Sequence, residues 1–124
     1  MNSISLENLS KELEKLELVT GIIGAAIVNR NGLTIISNLP RNIDDRKFGA
    51  MAATTFGAME SAISTIDDKL VNITVEYIDY LLVMLSIDEN TIIVSLVDRN
   101  IDLGLIFIEI EECLKKVKSY MKGE

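Results

Sequence analysis

Two nearly continuous apolar runs in the second half of the chain constrain its fold more than any other feature. They are LLVML at residues 81–85 and IIVSLV at residues 92–97. A strand with one face in water alternates apolar and polar residues, whereas a strand covered on both faces is apolar throughout. Both runs are therefore predicted to be strands of a sheet that has helices on each of its two faces.

Three helices are available to cover that sheet. Leucines three or four residues apart predict a helix over residues 5–18, and a long segment with few charges predicts a second helix from residue 46 to about 66. Helical spacing predicts a third from residue 102 to about 122, although its first half, LGLIFIEI, also fits a strand. Two of these helices can cover one face and the remaining helix the other.

Five strands complete the pattern. The dipeptide Asn31-Gly32 is a strong signal for a tight hairpin turn. The predicted strands are residues 25–30, 33–38, 70–78, 80–87 and 91–98. Short links make the last three strands antiparallel neighbours. The prediction is therefore one α+β domain over residues 1–124, with a five-stranded antiparallel sheet in the order α-β-β-α-β-β-β-α.

Charge and residue usage exclude several classes of function. The net charge of −7 disfavours nucleic acid and anionic membranes as partners. The chain has no histidine, which removes the Ser-His-Asp triad and histidine-ligated metal sites. Its single cysteine, Cys113, is expected to be an inert structural thiol. We predict no catalytic residue, no cofactor and no metal site. We find neither a secretory signal nor an apolar span of about 20 residues, so a cytoplasmic protein without membrane insertion is expected.

The strand predicted at residues 70–78 keeps a clear alternation. Its apolar side chains are Val71, Ile73, Val75 and Tyr77, and its polar ones are Asn72, Thr74 and Glu76. This pattern suits an edge strand, whose unpaired N–H and C=O groups are a template for pairing with another chain. An ordinary edge, blunted by twist and by Glu76, is the alternative.

The middle helix carries unusually small residues on one side. A core stripe is predicted at Phe48, Met51, Ala52, Phe56, Met59, Ile63 and Ile66. The opposite side is predicted to carry Gly49, Ala53, Gly57 and Ser61, a row four residues apart. Two glycines within a helix cost roughly 1 kcal/mol each relative to alanine. Such a row favours close approach of a second helix, and packing against the chain's own sheet is the alternative.

These features together resemble the roadblock family, whose relatives include prokaryotic regulators of small Ras-like GTPases. The matching segments are GAAIVNRNGLTIIS, MAATTFGAMESA with the strand after it, and VDRNIDLGLIFIEI. The resemblance implies a fold like that of profilin and longin domains, with the first and last helices on one face and the middle helix on the other. It also implies a homodimer that serves as a non-enzymatic platform for a small GTPase.

Site residues follow from the same resemblance. Family dimers pair their third strands and pack their middle helices together. The implied dimer interface is Gly49, Ala53, Gly57, Glu60, Ser61, Val71, Asn72, Ile73, Thr74, Val75 and Glu76. The implied docking residues for the partner are Arg46, Ala50, Thr54 and Ala58.

Three alternatives remain open at this stage. One is a scaffold subunit that does not contact a GTPase. Another is a sensor of a small ligand, although Ser95 alone interrupts the apolar runs with a polar group. The third is an enzyme that uses the carboxylates of Asp67 and Asp68 or of Glu111 and Glu112, which as adjacent surface acids more commonly serve capping and solvation.

Overall fold

All eight predicted elements form, in the predicted order. The computed structural model describes residues 3–122. The helices are α1 (Ser3–Glu17), α2 (Asp45–Ile63) and α3 (Leu103–Lys122), and a 3-10 turn follows α2 at Ser64–Ile66. The strands are β1 (Ile22–Asn29), β2 (Thr34–Asn38), β3 (Asn72–Glu76), β4 (Tyr80–Ser86) and β5 (Thr91–Asp98). β1 therefore starts earlier than predicted, β3 is shorter at both ends, and the LGLIFIEI segment is helical.

The five strands form one antiparallel sheet in the order β2-β1-β5-β4-β3. The apolar runs are β4 and β5, both of which have a strand on each side. β5 is buried from Thr91 to Val97, which confirms that this strand is covered on both faces. β2 and β3 are the two edges.

Each face of the sheet carries its own apolar core. On one face, Leu9 and Leu13 of α1 and Ile106 and Ile110 of α3 are fully buried in a single cluster. On the other face, Phe56 of α2 is buried in a second cluster with residues of β1, β4 and β5. The predicted arrangement, with the first and last helices on one face and the middle helix on the other, is confirmed.

The start of α2 follows from local chemistry. The Asp44 carboxylate caps the helix by accepting the backbone N–H groups of Arg46 and Lys47, with N···O distances of 3.0 and 3.2 Å. The β1–β2 hairpin turns at Gly32, whose φ of +96° is readily adopted only by glycine. α2 thus begins one residue before the predicted start at residue 46. Asn31-Gly32 lies in the hairpin turn as predicted, although β1 ends one residue earlier and β2 begins one residue later than expected.

The predicted row of small residues does not all face outward, and this part of the sequence prediction is wrong. Gly49 and Ala53 are buried, and they lie against the chain's own β1–β2 hairpin. A Cβ on Gly49 would lie 2.5 Å from Oγ1 of Thr34 and 3.0 Å from the carbonyl oxygen of Gly32. Gly49 therefore allows α2 to approach its own hairpin closely. The large residues Met59 and Ile66, predicted for the core stripe, are exposed instead.

This contact predicts opposite effects for two glycine-to-alanine substitutions in one helix. Gly49→Ala should destabilise the protein by roughly 1–2 kcal/mol, since the new methyl group overlaps Thr34. Gly57→Ala should stabilise it by roughly 0.5–1 kcal/mol, because alanine is the better helix former and nothing lies within 4 Å of the added Cβ. Urea unfolding at one protein concentration measures both changes. Equal effects of the two substitutions would contradict the close contact.

Candidate functional site

The outer side of β3 carries unpaired backbone groups. Within residues 3–122 no strand pairs with this side. The N–H of Tyr77 donates to the carbonyl oxygen of Tyr80 at 2.8 Å, so the Tyr77 N–H points toward β4. Hydrogen-bonding direction alternates along an antiparallel strand. The outward-pointing N–H and C=O groups therefore belong to Asn72, Thr74 and Glu76.

The side chains of β3 alternate as predicted. Ile73 and Val75 are half-buried in the core cluster under α2, whereas Asn72, Thr74 and Glu76 are exposed on the other face. Two large apolar residues flank the strand and extend its apolar side. They are Val71, which is 71% exposed, and Tyr77, which is 49% exposed. The edge thus presents apolar surface on one face and small polar groups on the other.

An arginine from outside the hairpin holds the turn between β3 and β4. Arg99, which follows β5, donates to the carbonyl oxygens of Tyr77 and Ile78 at 3.1 and 3.2 Å. The same guanidinium forms an ion pair with Glu76. The negative charge of Glu76 is therefore compensated within the chain. It is then a weaker obstacle to pairing of this edge with another chain. Sequence reasoning missed Arg99, because no local pattern connects it with this turn.

The four residues predicted to dock a partner share one surface. Arg46, Ala50, Thr54 and Ala58 are all exposed, and their spacing of four places them in a row along the outward face of α2. The chain has no charged residue between Lys47 and Glu60. The middle of this outward face therefore carries small side chains and no charge.

Glu60, a residue of the predicted dimer interface, makes contacts within its own chain. Its carboxylate forms an ion pair with Arg30 at the end of β1. The Arg30 guanidinium also donates to Oγ of Ser86 at 2.7 Å and to the carbonyl oxygen of Asp88 at 2.9 Å, and it lies 5.2 Å from the centre of the Phe56 ring. Arg30 thereby connects α2 with β1, β4 and the β4–β5 turn. Glu60 is engaged within its own chain.

Two residues of the predicted interface, Gly49 and Ala53, lie on the side of α2 away from β3. Gly49 and Ala53 face the hairpin at the β2 edge, while β3 forms the opposite edge of the sheet. By helical periodicity, the flank of α2 nearer β3 carries Phe48, Thr55 and Met59. Met59 is 51% exposed, although helical spacing predicts it for the core stripe. Gly57 and Ser61 are half-buried and exposed, respectively.

The residues considered for catalysis are a buried thiol, Cys113, and exposed carboxylates. Burial raises the pKa of the Cys113 thiol to about 11, with the nearby Glu12 carboxylate as a second cause. Asp68 accepts the backbone N–H of Lys69 at 2.8 Å, and Glu112 pairs with Lys115 at 3.6 Å on the surface of α3. Across residues 3–122, no cluster of three or more potential ligand side chains is arranged to hold a metal ion. No helix in the same range is long and apolar enough to cross a membrane.

A cleft of about 500 Å³ lies between the C-terminal end of α2 and the β4–β5 turn. Charged groups of both signs line it, among them Arg30, Glu60 and Lys69. It is an open surface cleft, whereas the ligand-sensor alternative expects a pocket enclosed between helix and sheet.

Comparisons with known proteins agree with the fold described above. The family described as the Roadblock/LC7 domain matches residues 9–96. The uncharacterized protein MJ0714 of Methanocaldococcus jannaschii is 34% identical over 112 residues, which span 90% of this chain and 94% of that protein. The structure of MglB from Myxococcus xanthus superposes with a TM-score of 0.92 at 19% identity, covering 99% of this chain and 94% of MglB. Profilin IA of Acanthamoeba castellanii shares the fold more loosely, with a TM-score of 0.61 at 13% identity, covering 89% of this chain and 96% of the profilin.

Proposed function

Because the chain belongs to the roadblock/LC7 family, we propose that it is a non-enzymatic homodimeric module that docks a small Ras-like GTPase and regulates or scaffolds it. Members of this family commonly act as such platforms. The observation that carries the proposal is the outward face of α2, where Ala50, Thr54 and Ala58 are exposed in a row without charge. The proposal places the protein in the cytoplasm, where such GTPases act.

The open edge supports the homodimeric part of the proposal. An exposed edge strand is a liability for a monomer, and proteins usually cover or blunt it. Here the one acidic side chain of β3, Glu76, is paired with Arg99. Met59 and Tyr77 add exposed apolar surface on the α2 face beside that edge. A second copy that covers β3 would also cover this surface.

The shape of the outward face supports the docking part. Gly49 and Ala53 let α2 lie close to the sheet, and the exposed residues Ala50, Thr54 and Ala58 on its outer side are small. Small side chains on that side leave the helix backbone accessible to a partner. Two copies paired at β3 would place two such faces on the same side of a continuous sheet.

The docking face is tested by adding bulk and charge to its centre. Thr54→Arg should weaken binding of the cognate GTPase at least about tenfold, equivalent to about 1.4 kcal/mol, while leaving the dimer intact. Isothermal titration calorimetry with the small GTPases of the source organism, loaded with GDP or with a GTP analogue, measures this change. Ser119→Arg is the matched control, because Ser119 is exposed on α3 across the sheet.

The outcomes separate the two parts of the proposal. Equal affinities for wild type, Thr54→Arg and Ala58→Arg would contradict docking on α2. A dimer that binds none of the GTPases would contradict docking of a GTPase and support the alternative of a scaffold subunit without GTPase contact. A monomer in sedimentation at micromolar concentration would contradict the homodimer.

A further inference from the structure

We propose that two copies pack the exposed sides of their α3 helices together in antiparallel orientation, so that glutamates of each helix lie opposite lysines of the other. α3 lies on the opposite face of the sheet from α2. The contact is therefore separate from the proposed docking face and from β3, and all of these surfaces can be occupied at once.

The residues of α3 divide cleanly between the core and the surface. The buried ones share one side of the helix and are Ile106, Ile110, Cys113, Leu114 and Val117. The opposite side is exposed from Leu105 to Lys122, a length of about 27 Å. Its central row has the alternating spacing of three and four residues that is typical of helix pairing. This row consists of Leu105, Ile108, Glu112, Lys115, Ser119 and Lys122.

The charges on this exposed side are separated along the helix. Its first half carries Glu109, Glu111 and Glu112, and its second half carries Lys115, Lys116, Lys118 and Lys122. The helix dipole favours this order, but its influence falls off within the first and last turns, whereas the change of sign occurs in the middle of α3. An antiparallel second copy would place each acidic half against a basic half.

One register gives three of the lysines a glutamate of the second copy. In it, the point midway between residues 113 and 114 lies opposite the same point of the other helix. One facing pair is then in the central row and one on each flank, and two-fold symmetry forms each pair twice. The facing pairs are Glu112 with Lys115, Glu109 with Lys116 and Glu111 with Lys118.

Other arrangements of the two helices set like charges opposite each other. A shift by one heptad in one direction places Glu109 and Glu111 opposite their own counterparts. The same shift in the other direction does so for Lys116 and Lys118. Parallel helices would place Glu112 opposite Glu112 along the central row. Charges beside a helix seam select orientation and register in this way.

The charges on the flanks are available for such a contact. Within residues 3–122, the side chains of Glu109, Glu111, Lys116 and Lys118 form no ion pair. Glu112 and Lys115 form one with each other at 3.6 Å, although their side chains are largely exposed. A surface of single charge would meet like charges on one half of α3, whereas a second copy matches both halves.

The apolar end of the row is also covered in this register. Leu105 and Ile108 are 62% and 57% exposed in one chain. Leu105 lies opposite Lys122 of the second copy, whose aliphatic stem can pack on apolar surface while its ammonium group stays in water. Ile108 lies opposite Ser119, a small residue that permits close approach.

The contact is expected to be weak and sensitive to salt, because exposed ion pairs contribute little and are screened. It should form well above the micromolar concentrations at which the homodimer is tested. A protein that is already a dimer would then associate further to a tetramer. Raising the ionic strength from about 0.1 M to about 1 M, where the Debye length falls from about 10 to about 3 Å, should reverse this step.

Charge reversal tests the register. Glu111→Lys and Lys118→Glu each set like charges opposite each other, and each should raise the dissociation constant of this step at least about fivefold. The double variant Glu111→Lys/Lys118→Glu restores opposite charges at the wild-type net charge and should recover association. Sedimentation equilibrium in low salt, from micromolar to near-millimolar protein, measures all of these changes, and circular dichroism reports the fold.

Two further samples make the test specific. An equimolar mixture of Glu111→Lys with Lys118→Glu should also recover association, because each glutamate then faces a lysine of the other variant. Lys47→Glu changes the net charge as much as Lys118→Glu does, at an exposed position on α2, and should leave this step unchanged.

Each result supports the α3 contact or overturns it. Single variants that associate as wild type does, or a double variant that does not recover, would overturn the register. Association that high salt does not weaken, or a wild type that never exceeds its micromolar state, would overturn the contact. A monomer at micromolar concentration would contradict only the proposed homodimer, since the α3 step would then appear as association of monomers into dimers.

Discussion

Replacing Thr74 by proline should convert the dimer into a monomer while preserving the fold. The Thr74 N–H points away from β4, so proline removes no hydrogen bond within the chain. Proline is tolerated on edge strands when its missing N–H faces outward. In a homodimer paired at β3, however, the Thr74 N–H of each copy points toward the other copy, so the dimer loses two donors and the proline rings enter the interface.

The expected weakening is large. Two lost hydrogen bonds at roughly 0.5–1.5 kcal/mol each correspond to a roughly 5- to 150-fold rise in the dissociation constant, and the ring clash adds to this. Sedimentation equilibrium over a range of protein concentrations measures the change. Circular dichroism of the same samples reports whether the fold is preserved.

Two further variants make the test specific. Thr74→Val keeps the N–H and should keep the dimer. Val75→Pro removes an N–H that points toward β4 and should destabilise the monomer, because proline breaks a ladder bond inside the sheet. A Thr74→Pro protein that remains a dimer with wild-type affinity would show that β3 does not form the interface.

Replacing Phe56 by alanine should cost roughly 3–5 kcal/mol of unfolding free energy. Phe56 is 1% exposed and is the largest fully buried side chain under α2. Its ring also lies 5.2 Å from the Arg30 guanidinium, so the substitution removes a cation–π contact along with the packing. Domains are typically stable by only 5–15 kcal/mol, and a loss of this size leaves many of them partly unfolded at 37 °C.

Urea unfolding at a fixed protein concentration measures this loss, since dimerisation would otherwise contribute to the apparent stability. Leu33→Ala is the control, because Leu33 is 68% exposed and a surface change of this kind is usually within about 0.5 kcal/mol. A loss below about 1 kcal/mol for Phe56→Ala would contradict the packing of α2 described above.

The layering of the fold was predictable because it depends on strong, local patterns. The runs at residues 81–85 and 92–97 require cover on both faces, and the turn at Asn31-Gly32 is coded by adjacent residues. The rotation of α2 was less predictable. Apolar and small residues occupy most of its circumference, so helical spacing places Met59 in the core stripe and Gly49 and Ala53 on the opposite side.

The structure reverses part of that assignment for a steric reason. Where a helix lies close to a hairpin, only the smallest residues fit at the contact, so the buried positions are Gly49, Ala52 and Ala53 together with Phe56. Contacts that connect distant residues were also outside the reach of local patterns. Arg30 and Glu60 are thirty residues apart, and Arg99 is more than twenty residues from the turn it holds.

The contacts of Arg99 bear on how readily the edge can associate. Fixing the backbone of a residue costs roughly 1–2 kcal/mol in conformational entropy, and a loose strand end would lose that entropy on pairing. In this chain Arg99 already restrains Tyr77 and Ile78 before any partner arrives. A preorganised edge retains more of its interaction energy as affinity, and we expect its association to need little local rearrangement.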